Sequence, residues 1–283
     1  MKKIIVITFL FLSLALAYGQ KKEKIKGNRE VITRLYTVAP FLRVETDEDL
    51  TLFVKKAADT TQIQLKADEN LHEVLKWDVN NGVLKLWLSK KIISKKKFEI
   101  TLFVGKQFQG FLLHKYAKAV CEDKIRLKNL FVELHDRASI EGGFSVQDSV
   151  GVHLFENAKL RLDLEAESVH AVLDKHSSWV GVVFAKQMQV KMNRSAHIQL
   201  DGRVKNLEIN AMDHAAFDGR KLHITKSAMV VLSGKTSVRI FGKNANRLTV
   251  DLRDAAILEL GGHFSDYKIE AFLGEAAIRH FER

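Results

Sequence analysis

The chain has 283 residues, with 45 Lys and Arg against 34 Asp and Glu, a formal charge of +11, one proline and one cysteine. The lone Cys121 excludes an internal disulfide, and one proline without any Ser/Gly/Pro-rich tract excludes domains strung on flexible linkers. No HExxH, GxSxG, P-loop or paired CxxC occurs, and no aromatic–basic RNP motif supports a nucleic-acid module.

The first stretch, MKKIIVITFLFLSLALAYGQ, starts with Lys2 and Lys3 and runs through apolar residues from Ile4 to Leu16. Ala17 and Gly19 stand at the −3 and −1 positions of a cut before Gln20. This three-part layout predicts a secretory signal peptide over 1–19. The apolar run falls short of the about 20 residues that a membrane span needs, and no cysteine follows it to carry a lipid. The mature chain is therefore expected to be exported and soluble, in the periplasm or at the cell surface, with no stable membrane insertion. Without Lys2 and Lys3, 43 basic residues face 34 acidic ones, a net +9. An exported basic protein meets acidic glycans, lipid headgroups or surface polymers more readily than intracellular nucleic acid. Two lysine-rich runs, KKEKIK at 21–26 and KKIISKKK at 90–97, read as a solvated tail and a solvated loop.

Residues 20–115 form a β-rich but irregular N-terminal part, with EVITRLYTV, FLRVET, DLTLFV, TQIQLKA, GVLKLWL and FEITLFV as strand candidates and a helical turn or two in DENLHEVLKW. These strands either begin the structure that follows or cap its first coil.

From 116 to 283 the sequence repeats. A polar or charged residue, one or two small residues and a large apolar residue recur, the last at Val120, Ile140, Leu160, Trp179, Ile198, Phe217, Val238, Ile257 and Ile278. The steps between them are 20, 20, 19, 19, 19, 21, 19 and 21 residues. Alternating apolar triplets keep the same beat, from Leu130-Val132-Leu134 and Val150-Val152-Leu154 to Leu248-Val250-Leu252 and Ile269-Ala271-Leu273. Period-two alternation marks strands with one buried face, so each unit reads as two short strands joined by tight polar corners. The expected fold is all-β: a parallel β-helix or β-solenoid of about nine rungs of 19–21 residues, stacked ~4.8 Å apart into a rod of roughly 40 Å. The small residue two places before the large one (Ala138, Ala158, Ser177, Ala196, Ala255) fits a narrow corner, where leucine would overpack. Strict alternation fails after Ile257, and a one-residue slip that buries Leu258 and Leu260 is expected in place of an inward Glu259.

Two N-terminal stretches carry a family resemblance. GNREVITRLYTVAPFLRVETDEDLTLFV at 27–54 and KADENLHEVLKWDVNNGVLKLWLS at 66–89 resemble the start of the "putative auto-transporter adhesin, head GIN domain" family, with its ADENL segment followed by NGxLKI. The later small-small-apolar corners are similar to that family's Ser-Gly-Ala corners, LSGKTSV at 232–238 most closely. The resemblance covers about 25–283 and implies exported bacterial envelope proteins with a β-helical body and no established enzyme activity.

Stacking brings residues at equal repeat positions together. Four positions before the large apolar residue come Asp136, Glu156, Lys175, Arg194 and Asp213, which predicts Glu156 beside Lys175 and Arg194 beside Asp213. Glu156, Lys175, Arg194 and Asp213 are the candidate binding strip for an anionic glycan, a surface polymer or an envelope protein. A solvated structural ladder is the plainer account of the same residues. His176 and His214 share a column two rungs apart, too far to chelate one metal, and His197 lies between them on the opposite face. No cofactor or metal is therefore expected. Trp179 falls on the core column, whereas Trp87 sits opposite Leu86 and Leu88. The expected function is a non-enzymatic, adhesin-like binding or structural module of the envelope. The alternative is a polysaccharide lyase or hydrolase on the same scaffold, which would need carboxylates converging in a cleft.

Overall fold

The computed structural model describes residues 22–58 and 62–282; the leader assigned to 1–19 lies outside them. Strands stack in parallel, coil upon coil, through one 20-stranded sheet that wraps about nine turns. Each turn buries the alternate residues of two short strands, so the core is a set of ladders along the rod. One ladder runs Leu113, Leu134, Leu154, Leu173, Met192, Ala211, Leu232 and Leu252, each in register with the next. The other runs Ala119, Ile140, Leu160, Trp179, Ile198, Phe217, Val238, Leu258 and Ile278. Trp179 is fully buried and donates its Nε1–H to the carbonyl of Leu162 at 3.2 Å.

Two members of the second ladder differ from the sequence expectation. Ala119 points inward where Val120 was expected, and Leu258 replaces Ile257, with Leu260 also buried as the slip required. The reason lies in the corner, which always spans four residues after the last triplet position. Counting from Leu113 and Leu252 puts Ala117 and Ala256, not Lys118 and Ala255, in the tight site. That site forms a buried column of Ala117, Ala138, Ala158, Ser177, Ala196, Ala215, Thr236 and Ala256. The 21-residue step between Phe217 and Val238 is absorbed by bulges after Gly219 and Ile224.

The N-terminal strands are β1 (Lys24–Lys26), β2 (Val31–Thr37), β3 (Arg43–Thr46), β4 (Thr51–Lys56), β5 (Gln62–Asp68), β6 (Leu75–Asn80), β7 (Val83–Leu88), β8 (Lys91–Ser94) and β9 (Phe98–Val104). After them β10 (Gly110–Leu113) and β11 (Lys118–Cys121) begin the regular coils. β3 and β4 make a turn of the solenoid, but the chain does not move on from it in order. β3 lies between β7 and β10, and β4 lies between β9 and β11, all parallel. Residues 62–104 are thus stacked outside the first turn before the chain crosses back to β10. There the pairing becomes antiparallel, β5 with β9 and β2, and β6 with β7. Asn81 (φ 50°) and Gly82 (φ 74°) join β6 to β7 in a two-residue turn, the conformation for which Asn-Gly is preferred. Antiparallel strands close this end of the rod against further coil stacking. In DENLHEVLKW only a single 3₁₀ turn forms, at Glu69–Leu71.

The opposite end is open. The last coil pairs only Ile257–Leu260 with a following strand, Ala277–His280. A bulge at Glu270 brings Phe272, not Leu273, into register with Leu252. Tyr267, Ile269, Phe272 and Leu273 are 52, 59, 47 and 57% exposed, although Leu248, Val250 and Leu252 behind the first three are buried.

Two side chains test this packing. The hydroxyls of Ser177 and Thr236 are buried in the tight column without a hydrogen-bond partner. Ser177→Ala should raise the unfolding free energy by up to about 1 kcal/mol by removing an unsatisfied group. Ala256→Leu should lower it by about 1–3 kcal/mol through overpacking. Urea unfolding of both variants checks the pair. Asp68, also buried, accepts the backbone N–H groups of Arg29 (3.2 Å), Lys96 (3.0 Å) and Lys97 (2.9 Å). Burial pushes its carboxyl up, but these N–H groups and the Lys96 charge together hold it below the ordinary value of 3.8. A depressed folded value means stability present above pH 3.8 and lost as the pH falls through the folded value. Asp68→Asn should cost about 1.5–3 kcal/mol near neutral pH and flatten the acid limb of a melting-temperature profile.

Candidate functional site

Each coil turns through the same four-residue corner. The carbonyl of its first residue accepts the N–H of its fourth, as His135 from Ala138 (3.0 Å) and Phe155 from Ala158 (3.1 Å). From Lys115 onward the second residue is left-handed on each turn: Lys115, Asp136, Glu156, Lys175, Arg194, Asp213, Gly234, Asp254 and Gly274 have φ between 53° and 76°. The four-residue spacing found in the sequence therefore corresponds to a backbone constraint. Glycine takes this conformation freely and aspartate with local help, while other residues lose about 1–2 kcal/mol. Asp136 and Asp254 supply that help by accepting the N–H of Lys115 and Gly234 on the preceding turn, at 2.9 and 2.8 Å. Lys115, and Glu156, Lys175 and Arg194 on three consecutive turns, are the wrong residue types for ease of folding. Backbone strain of this kind concentrates at functional surfaces.

The side chains form a charged network. The ammonium of Lys175 donates to Glu156, as stacking predicted, and this hydrogen bond holds the Glu156 carboxyl below its ordinary range. Arg194 does not pair with Asp213. Its guanidinium forks onto both oxygens of Asp174 on the preceding turn, with Nε 2.7 Å from Oδ1, and Asp213 acts on it through charge alone. A planar two-point fit is the stronger arrangement for arginine, which explains the choice. Burial pushes the Asp174 carboxyl up, yet the Arg194 bond and the Lys175 N–H bring it below the usual value. Lys175, His176, Arg194, Ser195, Asp213 and His214 line one shallow depression of about 400 Å³.

An aromatic column adjoins the charges. His114 stacks on His135 (centroids 4.6 Å apart, planes 12°), and His135 stacks on Phe155 (4.8 Å, 17°). Glu133 Oε1 lies 2.9 Å from His135 Nε2, and Glu156 Oε2 lies 3.8 Å from its Nδ1. On the third corner position, Arg137 lies 5.4 Å above the Tyr116 ring and donates to its hydroxyl at 2.9 Å. The sequence reading passed over this column, although its signal was present. The residue after each buried leucine is His114, His135 and Phe155, at steps of 21 and 20. Trp87 is half-buried on the outer face of β7 and joins no such group.

This chemistry holds charge in place. Asp68, Glu156, Glu165, Asp174, Asp218 and Asp251 are all displaced toward the ionised form. Cys121 is buried and its thiol is pushed up to about 12, so it stays protonated and inert. Among the described residues no three His, Cys, Asp or Glu side chains are placed to hold a metal ion.

A parallel β-solenoid, closed at one end and carrying an aromatic and charged strip along one corner, is the class that fold and site define. The model of the "Putative auto-transporter adhesin, head GIN domain" family matches residues 40–263, and the chain belongs to that family. Its fold is similar to that of a "putative adhesin" from Parabacteroides merdae (TM-score 0.63, 15% identity). It is also similar to a "putative lipid binding protein" (0.61, 12%) and a "putative adhesin" (0.53, 14%), both from Parabacteroides distasonis. Each comparison covers 92% of this chain and all of the other. A search of curated proteins gave no match.

The corner backbone makes a separable prediction. Lys175→Gly should remain within about 1 kcal/mol of the parent, because relief of the left-handed strain offsets the lost ion pair. Lys175→Val, β-branched at positive φ, should lose about 1–3 kcal/mol. Denaturant unfolding distinguishes them, and equal losses would contradict the corner geometry.

Proposed function

We propose that the protein is an exported, non-catalytic, adhesin-like binding module of the bacterial cell envelope, and that its corner strip takes anionic glycans or surface polymers. The observation that carries this reading is the strip itself. Stacked His114, His135 and Phe155 form a half-buried aromatic column, and Arg137, Lys175 and Arg194 follow along the same corner as cations. Guanidinium and ammonium groups suit the carboxylates and sulfates of such polymers. Contacts repeated at the coil spacing suit an extended polymer rather than a small molecule. Without Lys2 and Lys3, 43 basic residues face 34 acidic ones, so nine cations remain beyond one-to-one pairing. Family membership supports the adhesin-like reading and, with the leader pattern at 1–19, export. Among the described residues no helix is long and apolar enough to cross a membrane. A glycoside hydrolase would need a carboxylic acid kept protonated near neutral pH, whereas Glu156 and Asp174 are displaced toward the ionised form.

Polygalacturonate and heparin should bind the purified protein at low ionic strength and release as salt rises, since exposed charges are screened beyond about 10 Å at 0.1 M. Lys175→Glu with Arg194→Glu should weaken binding at least about tenfold, as two attractions become repulsions. Failure to bind any anionic polymer at low salt would sink the proposal, as would equal binding by the double variant.

A further inference from the structure

The two lysine-rich runs that read as a solvated tail and a solvated loop meet in space. β1 and β8 pair in parallel as a separate two-stranded ribbon, with Lys24 opposite Lys91 and Ile25 opposite Ile92. The ribbon is tied at both ends, from Lys91 N–H to the Glu23 carbonyl (2.7 Å) and from Gly27 N–H to the Ser94 carbonyl (2.8 Å). Asp68 then clamps the segments that follow, through the N–H groups of Arg29, Lys96 and Lys97. No room remains at Gly27 for a side chain, since a Cβ there would lie 1.9 Å from Asp68 Oδ2. A run of lysines that only needed solvent would require none of this.

Between the ribbon and the corner of the first turns lies a recess of about 640 Å³. Its floor is apolar, made by Leu50, Leu88, Ile92 and Phe98. Six lysines and only two carboxylates, Glu48 and Asp49, stand around it. Lys22 pairs with Glu48, Lys90 with Glu23 (2.9 Å) and Lys115 with Asp47 (3.8 Å). Lys24, Lys91 and Lys95 make no ion pair among the described residues, and Lys95 rests over the Phe98 ring at 5.4 Å. Unmatched ammonium groups held beside an apolar floor repel one another, and an anion relieves that repulsion. A bare anion would leave the floor wet, whereas an attached chain would dry it.

We propose that this recess binds an amphiphilic anion, a carboxylate or phosphate head on an acyl chain. The head lies among Lys24, Lys91 and Lys95, and the chain lies on Leu50, Leu88, Ile92 and Phe98. The site is separate from the corner strip and does not rest on the polymer reading.

Isothermal titration of the purified protein with sodium dodecanoate and with dodecyl phosphate, below their micelle concentrations, tests it. Acetate and inorganic phosphate serve as heads alone, and dodecyl maltoside as an uncharged chain. Both amphiphilic anions should bind at one equivalent, and each control at least tenfold more weakly. A preference for one of the two anions assigns the head as carboxylate or phosphate. Lys91→Glu with Lys95→Glu, and separately Ile92→Ser, should each weaken binding at least tenfold with the melting temperature unchanged. If either proves unstable, Lys91→Gln with Lys95→Gln at these exposed positions should give at least a threefold loss. Lys175→Glu with Arg194→Glu should leave dodecanoate binding intact while weakening polymer binding. No binding of either amphiphile overturns the proposal, as does equal binding of the heads alone, of the maltoside or by the recess variants. Loss of dodecanoate binding in the corner variant also overturns it.

Discussion

The structure depends on the register between one coil and the next. A single coil buries only one layer of alternate side chains and leaves both rows of backbone groups open, so it has no core of its own. Stacking with exact alignment of Leu134 on Leu154 and of Trp179 on Ile198 satisfies both needs at once. Register also fixes what the surface shows. A one-residue slip would turn each ladder to solvent and bring the charges inward. The bulges after Gly219 and Ile224 take up extra residues without passing the shift along, because Ala228 returns to register with Leu248 on the next coil.

A stack needs ends, and the two ends here are handled differently. At the N-terminal end the chain departs from sequential stacking, laying β7 and β9 outside β3 and β4 and then reversing direction in β2, β5 and β6. Reversal spoils the template for another parallel coil while keeping the backbone paired. The same detour positions the β1–β8 ribbon and, through Asp68, the lysines around the recess. At the other end Tyr267, Ile269 and Phe272 continue the ladders of Leu248, Val250 and Leu252 and are exposed among the described residues.

How far the sequence showed this depends on what each feature repeats. The coils were legible because the triplets and the small corner residues recur at 19–21 residues, and the slip at Leu258 followed from Glu259 alone. Val120 misled because the true inward residue is Ala119, and a lone alanine gives no apolar signal beside a valine. The insertion of β3 between β7 and β10 could not be read, since pairing between non-consecutive strands leaves no local pattern. For the same reason the lysine runs looked solvated: each is unremarkable alone, and only the β1–β8 pairing gives them a common purpose. Side-chain reach was a further blind spot. Column arithmetic put Arg194 beside Asp213, but a flexible guanidinium chooses the geometry of its partner, which Asp174 offers.

The corner shows how such a fold leaves room for function. The tight site must be small and the ladder positions must be apolar, so variation there is destabilising. The left-handed position asks only for a backbone conformation, and its side chain points away from every buried contact. Asp213, Gly234 and Asp254 meet that request at low cost, whereas Glu156, Lys175 and Arg194 meet it under strain. His114, His135 and Phe155 stack on one another over three turns, two of which also carry a strained corner residue, Lys115 and Glu156. Two departures from structural economy, one in backbone strain and one in stacked aromatic rings on the corner, thus meet on shared turns. A purely structural corner would have no reason to concentrate both in one place.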